Sequence, residues 1–241
     1  LSKPSDIGFS DDGFILPGLR REQHVLSVDV VRDRGDSLFR DPNLSATMFH
    51  KEGRRTAEDR AKRVAELVSS ETGESWIIWC DTDYDDDAVR ALLPGAVSVR
   101  GSGVIRDGRT ATGLDAKERA VLDFCDGTIR HMIAKPRMFG LGLNLQHCAR
   151  MVYARPSYSY EQTYQSERRC FRFGQAREVH SHTVMASTEV DVYAANRAKA
   201  ESHEAMVGET WRAARRATER RVNRFADYVP TKTMTLPTWI H

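Results

Sequence analysis

Apolar residues along the chain fall into short blocks, set apart by polar turns that carry glycine or proline. Residues 75–80 (SWIIWC) form a nearly continuous apolar run, the pattern of a strand covered on both faces. Residues 96–99, 129–134, 150–154 and 179–185 read as further strands. Between them the period lengthens. Ala57, Ala61, Val64 and Val68 recur at i, i+4, i+7 and i+11, which predicts a helix over residues 54–68. Residues 85–93 read as a helix stopped by Pro94-Gly95, and Asp115 with Glu118 has the spacing of a capping box opening a helix through Phe124. Residues 101–113, with four glycines, read as loop. Strand and helix alternating at this spacing predict an α/β fold, a parallel sheet with helices on both faces. Residues 1–50 are rich in Pro, Gly and Asp and read as irregular structure with one or two strands, near residues 14–16 and 25–31. Residues 189–225 read as a long helix or two. The expected organisation is a connecting segment over 1–50, an α/β lobe over 51–188 and a helical extension over 189–241.

Sheets of this kind bind ligands at the carboxyl ends of their strands. Residues 135–142 and the loops around Arg100 and Arg155 are expected along that edge. Residues 158–175 are predicted to be a helix ending at Gly174, in the position where a chain turns left-handed. At about 100° per residue, Gln165, Arg169 and Arg172 fall in one stripe, while Tyr160, Tyr164 and Phe171 fall on another side and are expected to dock on the core. Arginine keeps its proton at working pH, and its planar fork suits phosphate oxygens. Charge pattern alone fits a solvated arginine face equally well.

Two segments read together are more specific. GLGLNL at residues 140–145, followed by Q-x-x-x-R-x-x-R-x-G-Q from Gln165 to Gln175, resembles motifs V and VI of the Swi/Snf-type ATPases of helicase superfamily two. The wording KPRMFGLGLNLQHCARMVY with YEQTYQSERRCFRFGQ is most similar to bacteriophage helicases, and KPSDIGFSDDGFILPGL is similar to the passage between the two lobes of such motors. The chain departs from the pattern at Arg168, where an acid is usual, and at Lys135 and Pro136, where small hydroxyl residues are common. The resemblance implies the C-terminal RecA-like lobe of a two-lobe DNA-dependent ATPase. Arg169 and Arg172 would be its arginine fingers. Gln165, Gly140 and Gly142 would help to shape the nucleotide site, and Arg100, Gly101, Ser102, Lys135 and Asn144 would contact DNA. ATP and Mg2+ would be held mainly by the N-terminal RecA-like lobe. The sequence has neither the phosphate-cradling G-x-x-x-x-G-K-[ST] nor D-E-x-H, so the chain alone is expected to be inactive. The competing expectation is a non-catalytic DNA-binding or adaptor module that uses the basic stretch from Arg212 to Arg224.

Composition adds bounds. Of 241 residues, 40% are apolar and 29% charged, as in a soluble globular protein, and the formal net charge of +2 leaves any nucleic-acid contact to a local patch. Four cysteines without a C-x-x-C pair suggest reduced thiols and a cytoplasmic location, the host cytoplasm if the gene is a phage's. No run reads as a membrane span or signal peptide, and the chain, opening on Leu1, reads as a piece of something longer. Asp81 to Asp86 begins like a calcium loop but lacks its glycine and its final glutamate, so acids at a helix amino terminus are expected. His180 and His182 share a strand face, and with no third ligand at suitable spacing they are read as ordinary strand residues, with no metal expected. Cys170 lies among arginines, which lower a thiol's pKa. Trp76, Trp79 and Tyr153 are read as core.

Overall fold

The computed structural model describes residue 10 and residues 15–28, 46–139, 143–157 and 159–222. The chain divides into two compact units. Gly13–Ala200 is one, and Leu1–Asp12 with Glu201–His241 is the other. Among the described residues the second holds mainly helix, the later part of α7 (Val190–Val222), on which Arg212 and Arg216 are exposed. Arg224 lies outside the described residues.

The first unit is built on an eight-stranded sheet in the order β1-β8-β7-β2-β6-β3-β4-β5. Its members are β1 (Leu19–Leu26), β2 (Trp76–Trp79), β3 (Val97–Arg100), β4 (Gly103–Arg106), β5 (Arg109–Ala111), β6 (His131–Ala134), β7 (Arg150–Tyr153) and β8 (Val179–Ala186). The six strands from β1 to β3 in that order pair in parallel, as the alternation predicts. Period two sorts their side chains to the two faces. Ile77, Trp79, Met132, Met151 and Tyr153 meet one apolar cluster with Ala120 and Phe124 of α4 (Leu114–Cys125) and Cys170 of α6 (Tyr160–Cys170). Trp76, Ile78, Ile133 and Val152 meet another, with Ala61, Val64 and Val68 of α2 (Ala57–Ser70) and Val89 of α3 (Asp83–Leu92). Trp76 and Trp79 are both buried, as expected. No described helix is long and apolar enough to cross a membrane.

Several expectations change. The expected loop at 101–113 contains the antiparallel hairpin β4–β5. It sits at the open edge of the sheet, where β5 is fully exposed and has no apolar block to announce it. The capping box does not form: α4 begins at Leu114, one residue before Asp115, with Gly113 as its cap. The helix read over 54–68 is two, α1 (Ala46–Arg55) and α2, broken at Thr56. β1 extends the sheet from within the expected connecting segment, in register with β8 from Leu19 opposite Val179 to Leu26 opposite Ala186. A short α5 (Pro136–Phe139) follows β6.

One buried polar cluster fixes how α2 sits on the sheet. Arg60 is fully buried. It donates to the carbonyls of Ala154 (2.9 Å) and Gly53 (2.8 Å), to Thr56 Oγ1, and to Asp85 at 2.5 Å, with Glu189 at 3.5 Å. Glu189 also lies 3.4 Å from Arg155 and accepts from the Ala186 amide. Five contacts to one guanidinium meet the condition under which buried charge is tolerated.

Two half-buried imidazoles set an acid limit. Burial, and then the neighbouring Arg130, lowers the pKa of His131 below its ordinary 6.5; burial and Arg177 do the same for His147. The folded values lie below the unfolded one, so the unfolded chain binds more protons on the acid side. Stability is therefore expected to hold above about pH 6.5 and to fall as pH drops below it. Urea midpoints measured on both sides of that value check this, and a midpoint that does not move would refute it.

Candidate functional site

The carboxyl ends of the central strands open into a polar cleft of about 310 Å³. Asp81 and Thr82 follow β2, Lys135 and Arg137 follow β6, and Arg155, Ser157 and Ser159 follow β7. Gln162 of α6 and His50 of α1 complete the lining. Two helices begin here. Thr82 caps α3 by accepting from the Asp85 amide (3.3 Å), and Ser159 caps α6 by accepting from the Gln162 amide (3.3 Å). Both amino termini bring partial positive charge to the same cleft. Lys135 Nζ meets Asp83 at 2.8 Å, and Arg155 donates to the Tyr84 hydroxyl at 2.6 Å. Burial raises the pKa of Asp81, against the pull of the Ser157 hydroxyl and of Arg155. Three cations, two helix amino termini and small hydroxyls make a site suited to phosphate oxygens.

Arg169 and Arg172 do not lie on that rim, where an arginine ridge built to meet a triphosphate is expected to sit. α6 is the crossover between β7 and β8, so it runs back along the sheet and carries these arginines to the amino end of β7. There the Arg169 carbonyl accepts from the Leu145 amide (3.0 Å) and Arg172 donates to the side-chain oxygen of Asn144. Among the described residues no carboxylate meets either guanidinium, and the Arg169 Nε is buried without a hydrogen-bond partner. Burial, then the charge of Arg172, lowers the Arg169 pKa. An arginine in that position remains a cation and gains from any anion that arrives.

The helix stops earlier than its sequence suggests. It ends at Cys170, so Arg172 projects from the following turn and not from a helical ridge. Gly174 does adopt the expected left-handed backbone, at φ +93°, and a Cβ there would stand 3.0 Å from the Gln146 amide. That amide donates to the Phe173 carbonyl (2.7 Å), while buried Gln175 donates to the carbonyls of Cys148 (3.0 Å) and Cys170 (3.4 Å). The turn carrying Arg172 is thereby pinned from both sides. Gln165 bonds one turn back, to Glu161 (3.0 Å). The face of α6 on the core is Ser166, Glu167 and Cys170; Tyr160 and Tyr164 are half-buried and Phe171 packs at the margin. Exposed Arg168 lies over the Tyr164 and Phe171 rings, and buried Glu167 takes Arg21 of β1 at 2.6 Å. Cys170 points inward, away from the arginines. Its hydrogen bond with Cys148, and then burial, raise its pKa well above that of a free thiol, the reverse of the expectation.

The remaining candidates divide between the two ends. Lys135 lines the cleft. Arg100 ends β3 on the same rim, but its guanidinium is committed to Asp86 (2.9 Å) and Asp87 (2.6 Å) of α3. Gly101 and Ser102 form the exposed turn beside it, where the Gly101 carbonyl accepts from Lys117 (2.8 Å). Asn144 belongs with the arginines. Gly140 and Gly142 lie outside the described residues. The acids of 81–86 behave as expected at the start of α3, and buried Asp85 and Asp86 serve Arg60, Ser98 and Arg100. The sequence does not single out Ser157, Ser159, Gln162 or His50, and it places Arg137 only within the expected rim stretch 135–142, because three separate loops and two helices deliver the lining. The one available signal was the hydroxyl just ahead of each helix, Thr82 and Ser159.

Two solved structures are similar in backbone course. One is the C-terminal part of the Fun30 ATPase domain, at TM-score 0.47 and 18% identity over 56% of this chain and 43% of that chain. The other is a DEAD box protein from the hyperthermophile Methanococcus jannaschii, at TM-score 0.46 and 14% identity over 58% of this chain and 36% of that chain. The chain thus spans less than half the length of either. No family model and no curated protein matches the sequence.

Proposed function

We propose that the chain is the second, RecA-like lobe of an ATP-driven DNA helicase or translocase, most similar in wording to those of bacteriophages. The observation that carries the reading is the pair of anion sites at the two ends of α6. The rim cleft, with Lys135 and Arg137 over two helix amino termini, suits the phosphodiester backbone of DNA. Arg169 and Arg172, uncompensated by carboxylates among the described residues, suit a triphosphate that another lobe presents with Mg2+. α6 has 11 residues and so spans roughly 16 Å at 1.5 Å per residue. A stiff element of that length makes nucleotide arrival at one end felt at the other, which is what a motor needs. In this reading the first lobe supplies the phosphate loop and the metal ligands. This lobe's residues neutralise charge developing on the transferred phosphate and grip the strand.

The cleft half is testable on the chain itself. Lys135→Ala with Arg137→Ala is expected to weaken single-stranded DNA binding across all sequences and to lower the salt slope by about one unit per residue. Fluorescence anisotropy over a salt series measures both. An unchanged slope would remove the cleft from the DNA path. DNA binding that survives there but disappears when residues 212–224 are deleted would favour the adaptor reading, in which the basic tail makes the contact.

A further inference from the structure

β1 and β8 form a histidine cluster that neither half of the motor reading uses. The parallel register puts Glu22 directly opposite His182, with His24 two residues further along the same face of β1. His24 Nε2 and His182 Nδ1 are 3.0 Å apart, and a Glu22 carboxylate oxygen lies 3.8 Å from that same Nδ1. All three ligand atoms fall within 4.8 Å of one another. His182 is buried, while Glu22 and His24 are half-buried. Their sequence separation explains why the cluster is invisible in the sequence: His24 and His182 are 158 residues apart.

We propose that Glu22, His24 and His182 form a binding site for a divalent transition metal of the zinc class, stapling the edge strand β1 to β8. A tetrahedral zinc with ligands at about 2.0–2.2 Å sets those ligands about 3.4 Å apart, and the distances here straddle that value. Two imidazoles with one carboxylate are a zinc donor set that leaves the fourth position open. Imidazole also discriminates against Mg2+ and Ca2+, which take oxygen ligands. Metal ligands must be deprotonated.

Arg63 of α2 competes with the metal. Its Nη2 lies 3.2 Å from His24 Nδ1 and donates to it, so the ring carries its own proton on Nε2. Coordination through Nε2 moves that proton to Nδ1, and Arg63 must then withdraw to Glu66, which it already contacts at 2.8 Å. The site therefore predicts an unusual pattern: removing a neighbouring residue tightens binding.

The test is titration of the 241-residue chain with Zn2+ against a chromophoric chelator, with Co2+ spectra reporting geometry. One zinc per chain and a tetrahedral cobalt spectrum are expected. His24→Gln and Glu22→Gln should each weaken zinc by more than the roughly 10–100-fold that loss of an outer-shell partner costs. Arg63→Ala should bind more tightly than the unaltered chain. Zinc should also raise the Tm of the unaltered chain and not that of His24→Gln. No stoichiometric binding at micromolar zinc, or binding that His24→Gln leaves unchanged, overturns the proposal. His182→Gln should behave as His24→Gln does. If its circular dichroism shows that it does not fold, the two β1 variants decide.

Discussion

On the proposed motor reading, Arg172→Ala in a protein that joins this lobe to a phosphate-loop lobe is expected to stop DNA-stimulated ATP turnover while leaving ATP binding largely intact. An arginine supplied to a transferring phosphate is worth about 10³–10⁵ in kcat, because it meets charge that exists only in the transition state. In the proposed motor ATP affinity would come mainly from the loop and metal of the other lobe, so the loss should fall on kcat. Arg172 is suited to this role by its mounting. It stands on a turn pinned by Gln146, Gln175 and the left-handed Gly174, and its side chain rests on a neutral amide that an anion can displace. Arg172→Lys keeps the charge but loses the planar fork, and should recover little. Arg168→Ala is the matched control: that guanidinium lies over two rings and should be dispensable for turnover. Single-turnover hydrolysis beside nucleotide-binding measurements separates the two effects. Turnover that persists in Arg172→Ala would end the arginine-finger assignment.

The second large effect concerns stability. Arg60→Met is expected to destabilise the fold by about 3–5 kcal/mol, the cost of leaving buried charges uncompensated. Asp85 and Glu189 would lose their shared cation, and the carbonyls of Gly53 and Ala154 would each lose a donor. In a domain of this size that corresponds to a fall of roughly 6–20 °C in Tm. Lys62→Met, two residues along on the opposite, solvent side of α2 and in an exposed pair with Asp59, should stay within about 1 kcal/mol of the unaltered chain. Equal midpoints for the two variants would show that the Arg60 cluster does not hold α2 to the sheet. Arg155 shares Glu189 with Arg60 and also lines the cleft, so Arg60→Met should disturb the rim as well as the core.

What the sequence made legible was what local pattern controls. The apolar runs around Trp76, Met132 and Met151 predicted strands because both faces of the sheet are covered, and the period at Ala57 to Val68 predicted α2 because one face is. β4 and β5 escaped because an edge hairpin has no second face to bury, and glycine-rich polar residues there read as loop. The end of α6 escaped because the Arg and Phe spacing continues past Cys170, while the hydrogen bonds that break the helix come from Gln146 and Gln175, outside its period. The arginine pair was legible as a pair. Its position at the opposite end of α6 from the rim was not, since that depends on which way the crossover runs. Arg100 was legible as a rim residue, yet its two aspartate partners on α3 belong to tertiary packing.

The pairing of β1 with β8 also governs when the fold can be completed. Val179 follows Leu19 by 160 residues, so at about 5–20 residues per second a ribosome delivers the partner strand roughly 8–32 s after the first. β1 therefore waits as an unpaired edge. Its run Arg20-Arg21-Glu22-Gln23-His24 suits that wait, because charged and polar residues discourage a lone strand from pairing with another nascent chain. The same residues later take their partners from across the finished sheet: Arg21 finds Glu167, and His24 finds His182.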